Sequence, residues 1–325
     1  MAAEQTQNRV EYKDNSNLFQ TNAFRLIYKM LEMASRTQED TSELVDEILH
    51  SIFFLGEITQ PEFSPRELFL DNDIMFDYLR EAYPEPFRLY SSRLPRRSPF
   101  SCVLDMVVHL KGQEHEDDIR ETLKELITEL KRGNNQNMLI STTICISAGN
   151  SRDSVKHYGV SMSTTGRPAG RILVAASCLN FWEKHVADAV MSYYPIKSRK
   201  AYFDVTIKLP ADVRCEAFNL GSRKAINPCL SCKNMFGLDT TDEQEWPYGN
   251  CAEVESLSNL LREEEVRERV QRFGNWTVEN KEKVKRAVIN HLRNELKKLS
   301  FAWDNQFYTA QKALADNDGE EDLVE

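Results

Sequence analysis

Long apolar runs are missing from this chain of 325 residues, and so are several common enzyme motifs. No uninterrupted apolar stretch approaches the roughly 18 residues that a membrane-spanning helix needs, so we expect no membrane partner. Gly159, Gly166 and Gly170 lack the spacing of a phosphate-binding loop, and no serine–histidine–aspartate elbow is visible. The first residues contain no basic segment followed by an apolar one, so we expect no secretory signal peptide.

An excess of positive charge is also absent. The chain carries 41 Lys and Arg against 51 Asp and Glu, a formal net charge of −10. Its surface as a whole therefore does not attract polyanions, and a nucleic acid would need a local basic patch. Most such patches are solvated loops, which is what we expect here. The candidates are Arg93, Arg96 and Arg97; Arg167 and Arg171; Lys197, Arg199 and Lys200; and Arg223 and Lys224.

Cysteine is present in an odd number, seven, at irregular spacing. A chain of this length can bury a sufficient core without disulfides. The pattern therefore favours a reducing compartment, in which thiols bind metal or pack in the core. The expected location is the cytoplasm, with the nucleus as the alternative.

Composition and periodicity divide the chain into five regions. We predict a disordered N-terminus at 1–16, a helical region at 17–90 and a linker at 91–100, where Pro95 and Pro99 lie. An α/β domain follows at 101–312, and 313–325 form an acidic disordered tail. The fold class is therefore α/β, a sheet flanked by helices and preceded by a helical N-terminal region.

Within the α/β domain several short apolar runs predict strands. Residues 102–110, 138–146, 171–176 and 201–207 are apolar or β-branched enough for this assignment. Residues 158–163 alternate and, with 171–176, predict a hairpin. Apolar residues at helical spacing predict a helix at 180–193.

Two short motifs concentrate the chemistry of the chain. Pro228-Cys229-Leu230-Ser231-Cys232 supplies two thiols at a predicted helix start, and Cys251-Ala252-Glu253 begins a second amphipathic helix. Thiolates are good zinc ligands, and a catalytic zinc site needs three protein ligands and an open fourth position. Glu253 lies about 200° around the helix from Cys251, so it cannot approach the same ion in the same way. A carboxylate there is suited to general acid–base catalysis.

These motifs resemble the two signature elements of the cytidine deaminase-like superfamily of zinc-dependent nucleoside, nucleotide and nucleic-acid deaminases. Residues 249–254 are particularly similar to the cysteine-type first motif found in bacterial toxin-like and other members. The resemblance covers about 135–300 and implies a mixed sheet of about five strands. It also implies Zn²⁺ held by Cys229, Cys232 and Cys251, with Glu253 as the proton shuttle of hydrolytic deamination.

The order of the two motifs is reversed relative to the usual pattern. Residues 239–250 can span roughly 40 Å when extended, enough to bring Cys251 back beside Cys229. Alternatively, His185 lies on the helix where the first motif would normally be, although its acid, Asp188, is three residues away rather than two. His185 is thus the alternative third ligand.

Two further interpretations of the cysteines remain open. A structural zinc site could add Cys215 or a histidine to the three cysteines, and it would leave Glu253 without a role. The cysteines could also be ordinary buried thiols. In either case the chain would be a non-enzymatic interaction or regulatory protein on a deaminase-like scaffold.

Overall fold

The computed structural model describes residues 2–131, 137–149, 151 and 154–314, with side chains from Asn17 onward. Helices make up about half of the chain, and a small sheet packs among them. The predicted α/β class and the helical N-terminal region are therefore confirmed. Within the described ranges, no helix has both the length and the apolar character needed to cross a bilayer.

Up to Leu130, every regular element of the described chain is a helix. Apolar side chains at helical spacing explain these helices, and α2 is buried at every residue from Val45 to Gly56. The elements are α1 (Ala2–Ala34), α2 (Ser42–Glu57), a 3₁₀ helix (Arg66–Phe69), α3 (Asp73–Ala82), α4 (Pro84–Leu89), α5 (Pro99–Lys111) and α6 (Glu116–Leu130).

Residues 102–110, predicted as a strand, belong to α5, so that prediction was wrong. Ser98 is extended and Pro99 occupies the first turn of the helix. Proline is well tolerated there because the first helical N–H groups lack partners within the helix. Pro99 is thus the start of a helix, whereas the sequence prediction places it in the linker at 91–100.

The segment 91–100, predicted as a linker, carries a buried arginine. The Arg97 guanidinium lies 2.8 Å from Glu47 of α2 and also contacts Asp105 of α5. The segment therefore ties two helices together through buried charge. Arg97 is one of the candidate basic residues, and these two carboxylates already compensate its charge.

The second half of the chain contains the strands. They are β1 (Thr143–Ala148), β2 (Lys156–Val160), β3 (Ile207–Lys208), β4 (Arg214–Asn219), β5 (Ala225–Ile226) and β6 (Gln271–Arg272). Four of them form an antiparallel sheet in the order β2-β1-β4-β5, and β3 pairs with β6. In the central register Ile144 lies opposite Val160 on one side and Phe218 on the other. The sheet is thus antiparallel with four strands, where a mixed sheet of about five was predicted.

The helices of this half are α7 (Arg167–Asn180), α8 (Lys184–Met191), α9 (Leu230–Phe236), α10 (Ala252–Leu260), α11 (Glu264–Glu268) and α12 (Val278–Lys298). Residues 171–176, predicted as a strand, lie inside α7, and of 201–207 only Ile207 lies in a strand. A short apolar run fits a buried strand and a buried helix equally well by periodicity alone. Proline at the start of α7 decides in favour of the helix.

Helix α10 lies directly on the sheet. A β-carbon at Gly159 would lie only 2.2 Å from the backbone nitrogen of Ser256, so glycine is what allows α10 to approach β2 this closely. Ser256 Oγ also donates a hydrogen bond of 2.6 Å to Ser147 Oγ of β1. Three fully buried side chains of α10 each contribute about 1.5–3 kcal/mol; they are Val254, Leu257 and Leu260.

Buried side chains from Phe19 to Phe301 form a continuous cluster that includes both the N-terminal helices and the sheet. The predicted division into regions 1–16, 17–90, 91–100, 101–312 and 313–325 stays a prediction. Residues 315–325 of the tail lie outside the described residues.

Candidate metal centre

Cys229 and Cys232 lie at the start of α9. Cys229 is the residue just before the helix and is extended, with φ −80° and ψ 169°. Cys232 lies in the first turn and is fully buried. Pro228 lacks a backbone N–H and has a fixed φ, which favours an extended entry into this turn. The three-residue step then places both thiols on one side of the helix start.

The segment after α9 folds back across that helix. The Leu230 N–H donates a hydrogen bond of 3.0 Å to the Gln244 carbonyl, and Ser231 Oγ donates one of 2.7 Å to the Trp246 carbonyl. These contacts return the chain to Cys251. The prediction that 239–250 could bring the two motifs together despite their order is therefore confirmed.

Gly249 and Asn250 set the position where α10 begins. Gly249 has φ +97°, and a β-carbon there would lie 2.5 Å from a methyl group of Val174 on α7. The Met162 N–H donates a hydrogen bond of 2.9 Å to the Asn250 carbonyl. Cys251 follows as the extended residue before α10, with φ −77° and ψ 147°. It therefore occupies the same position relative to α10 as Cys229 does relative to α9.

The three thiols meet in one cluster. The sulfurs of Cys229, Cys232 and Cys251 all lie within 4.8 Å of one another, and those of Cys229 and Cys251 are 3.4 Å apart. This arrangement could hold a metal ion. Three sulfurs at these distances fit around a single ion with metal–sulfur bonds of about 2.3 Å.

Electrostatics favours a cation in this cluster. Hydrogen bonds with the thiols of Cys232 and Cys251 hold the pKa of Cys229 well below its usual range. The same hydrogen bonding with Cys229 raises the pKa of Cys232 and of Cys251. These opposite directions follow because several thiolates this close would repel one another. A cation bound among the three sulfurs would remove that repulsion and favour the thiolate form of all three.

Glu253 lies next to the cluster in the first turn of α10. Its side chain is buried, with 5% of the residue exposed. Burial raises the pKa of Glu253 to about 7; the Cys229 thiolate also raises it, whereas a hydrogen bond with Cys232 lowers it. The pKa of this carboxyl group therefore depends on two residues of the cluster.

The next acid along the helix, Glu255, has a different environment. Its carboxylate accepts hydrogen bonds from Ser101 Oγ and from the Val160 N–H, the latter at 2.8 Å. It therefore connects α10 to α5 and β2. Glu253 and Glu255 are both buried acids of one helix. Of the two, only Glu253 has a pKa that is affected by cysteines of the cluster.

The other predicted ligands lie elsewhere. His185 Nδ1 lies 2.8 Å from Glu183, and Cys215 Sγ lies 3.6 Å from Cys145 Sγ on the sheet. Neither belongs to the metal-capable group, which in the described part of the chain consists of the three cysteines. The structure therefore groups Cys251, rather than His185, with Cys229 and Cys232.

A cavity of about 610 Å³ borders the residue before Cys251. Its lining includes Asn250, Arg167, Arg171 and Lys197. Both arginines belong to basic clusters for which the sequence predicts solvated loops, since it predicts a turn around Arg167 and a strand at 171–176. Because α7 is a helix, the four-residue spacing of the two arginines places them on one face. The sequence shows this shared face only when the segment is predicted to be helical. Met162 lines both this cavity and a narrow gap of about 10 Å³ that reaches Cys251.

Comparisons with known proteins identify no relative of this chain. No protein-family model, no curated protein and no solved structure matches the chain. The function therefore has to be inferred from the chemistry of the metal centre and its surroundings.

Proposed function

We propose that the chain is a zinc-dependent hydrolytic deaminase of the cytidine deaminase-like type, acting on a cytidine- or adenosine-type nucleobase. The observation that carries the proposal is the position of the buried Glu253 carboxyl group, two residues after Cys251 in the first turn of α10, at a helix start that contributes to a cluster of three cysteine sulfurs. A glutamate that is not a ligand, placed beside a thiolate metal site, is the arrangement that deamination requires.

The number and type of ligands support zinc in an open site. Thiolate ligands are soft and favour zinc, and three protein ligands leave one coordination position for water. A closed structural site would need a fourth protein ligand. Cys215 or a histidine was predicted for that place. Cys215 Sγ lies 3.6 Å from Cys145 Sγ instead, and no histidine of the described residues joins the three cysteines.

Each residue then has a defined task. When bound, zinc polarises a water molecule and makes it a nucleophile at neutral pH. Glu253 would accept a proton from the attacking water and deliver protons to the ring nitrogen and to the departing amino group. Water would thus replace the amino group by a carbonyl oxygen, with ammonia as the leaving group. Cys229, Cys232 and Cys251 would hold the metal.

A non-enzymatic protein with a structural metal site is the second candidate. The observation in its favour is the enclosure of the cluster, since Cys232 is fully buried and the gap at Cys251 is only about 10 Å³. Glu255, and not Glu253, is among the residues that line this gap, so a deaminase would need an opening that also reaches Glu253 when substrate binds. The two candidates therefore differ in whether substrate reaches Glu253.

The test combines metal content with ammonia release. We expect the purified chain to hold about one zinc ion and to release ammonia from cytidine, adenosine or their 5′-phosphates. Glu253→Gln should lower turnover by at least about 100-fold, the usual contribution of a general acid–base, while the zinc content stays unchanged. Glu255→Gln is the matched control, because it alters a buried acid of the same helix that has other hydrogen-bond partners.

Two results would overturn the assignment. Turnover that survives Glu253→Gln would remove the catalytic role of this residue. Full zinc occupancy without ammonia from any of these substrates would favour the non-enzymatic protein.

A further inference from the structure

The cavity beside the metal centre has an unusual charge for this chain. Its volume of about 610 Å³ is in the range of small-molecule sites. Arg167, Arg171 and Lys197 contribute to its lining, and no aspartate or glutamate is among the described residues that line it. In a chain with a net charge of −10, a concave surface with cations and no acids is suited to an anionic ligand.

The arginines of the other basic clusters are already paired with carboxylates. Five of their arginines lie 3.4 Å or less from a carboxylate; they are Arg93, Arg96, Arg97, Arg199 and Arg223. Lys200 Nζ donates a hydrogen bond of 2.6 Å to the Met191 carbonyl. By contrast, Arg167 and Arg171 form no ion pair within 4.0 Å in the described ranges. The charge of Arg171 acts at longer range on Glu295, whose pKa it helps to lower, but both guanidinium groups can still bind a ligand directly.

Lys197 has a partial partner. Its Nζ lies 3.9 Å from a carboxylate oxygen of Glu245 and donates a hydrogen bond of 2.5 Å to the carbonyl of the same residue. The contact with the carboxylate is long and partly exposed to solvent, so it neutralises little charge. The two arginines are therefore the principal cationic groups of the cavity.

The start of α7 adds to the positive potential. Gly166, just before the helix, lines the cavity, as do Arg167 and Arg171. The first turn of α7 contains no acidic residue, and Gly166 has no side chain with which to cap the helix. The helix dipole therefore acts in the same direction as the two arginines.

The cavity also adjoins the metal centre. Asn250 lines it and is followed directly by Cys251, and the Met162 N–H holds the Asn250 carbonyl at 2.9 Å. A ligand that fills the cavity would thus have one end near the loop that precedes Cys251. Its other end would lie at the start of α7.

We propose that this cavity binds the phosphate of a mononucleotide, with Arg167 and Arg171 as its principal contacts, so that the substrate is a nucleoside phosphate rather than a free nucleoside. The placement of the base at the metal centre rests on the proposed deaminase function. The binding of the phosphate by the two arginines does not depend on that function. Arginine is well suited to the role because its planar guanidinium group can bind phosphate through two parallel hydrogen bonds. The enclosed volume and the acidic surface elsewhere favour a mononucleotide over a long nucleic acid.

The test measures equilibrium binding, so it does not depend on turnover. Isothermal titration of the Glu253→Gln chain would compare cytidine and adenosine with their 5′-monophosphates and with a ten-nucleotide single strand. We expect the monophosphate of the preferred base to bind at least about tenfold more tightly than its nucleoside. Arg167→Ala and Arg171→Ala should each weaken monophosphate binding about tenfold and leave nucleoside binding unchanged.

Two further variants control for general effects. Arg286→Ala removes an exposed arginine of α12 that is not part of the cavity, and it should leave binding unchanged. Arg171→Lys keeps the charge but loses the paired hydrogen bonds, so its affinity for the monophosphate should lie between those of the parent chain and Arg171→Ala. Circular dichroism would check the fold of each variant.

Several outcomes would overturn the nucleotide proposal. They are equal binding of nucleoside and monophosphate, equal loss of both in the arginine variants, tighter binding of the single strand than of any mononucleotide, or no binding at all. Failure of the deaminase proposal gives a different result, namely arginine-dependent monophosphate binding without ammonia release. Ammonia release that is indifferent to the phosphate would instead refute the nucleotide proposal alone.

Discussion

Cys229 Sγ and Cys251 Sγ lie 3.4 Å apart, although 22 residues separate them along the chain. Both occupy the extended position just before a helix, so two helix starts converge on one point. The connecting segment crosses α9 and is anchored there by backbone contacts such as that between Leu230 and Gln244. The reversed order of the two motifs is therefore compatible with a single metal centre.

Replacing one thiol of the cluster should remove the metal. In Cys251→Ser we expect the zinc content to fall from about one ion per chain to near zero, because two thiolates alone rarely hold zinc. Cys178→Ser, which changes a buried cysteine of α7 outside the cluster, should retain the ion. Elemental analysis after gel filtration with a weak chelator would measure both.

The same measurement decides between the two predicted third ligands. His185→Ala should keep the metal, since the imidazole lies beside Glu183 rather than in the cluster. Loss of zinc in His185→Ala, together with full zinc in Cys251→Ser, would contradict the geometry described above.

Breaking the buried charge network at Arg97 should be costly. Arg97→Met leaves Glu47 buried without its closest cation, since only Arg96, at 3.4 Å, remains near it. Removing one partner of a buried pair typically costs about 3–5 kcal/mol in the free energy of unfolding. Urea denaturation of the two chains would measure the difference.

Arg93→Ala is the matched comparison in the same segment. Arg93 pairs with Asp304 at 3.1 Å, and both side chains are about one-third exposed. An exposed pair of this kind contributes about 1 kcal/mol or less. Equal losses in the two variants would show that Arg97 is not the connection between α2 and α5 that its contacts indicate.

The metal-capable cysteines could be predicted from the sequence because their chemistry is local. Cys229 and Cys232 are three residues apart at a helix start, and this spacing alone brings two thiols together. Cys251 required one further step, the length of the loop, which sequence also provides. Which of several residues would complete the group depended on tertiary packing, and the structure was needed to separate Cys251 from His185.

The predicted strands failed for a different reason. Residues 102–110 and 171–176 are short apolar runs, and burial on all sides removes the periodicity that distinguishes a helix from a strand. In both cases a proline in the first helical turn, Pro99 or Pro168, was the available signal, and it was interpreted as a loop or turn. The common helix face of Arg167 and Arg171 could therefore not be predicted, although both residues are candidate basic groups in the sequence.

The buried carboxyl group of Glu255 should make stability depend on pH in a defined direction. Burial raises the pKa of Glu255 from 4.5 to about 7. Between these values the folded chain holds a proton that the unfolded chain has lost. The contribution of Glu255 to the free energy of unfolding is therefore greatest below about pH 4.5. It falls as the pH rises towards 7, by up to about 1.4 kcal/mol per pH unit.

Glu255→Gln removes this contribution while keeping the size of the side chain. The variant should become progressively more stable relative to the parent chain as the pH rises from 4.5 to 7, and the difference should level off above 7. Other buried acids, such as Asp46, whose pKa burial raises to about 6, are present in both chains and cancel. Urea unfolding at pH 4.5, 5.5, 6.5 and 7.5 would measure the difference, and parallel curves for the two chains would show that Glu255 does not titrate in this range.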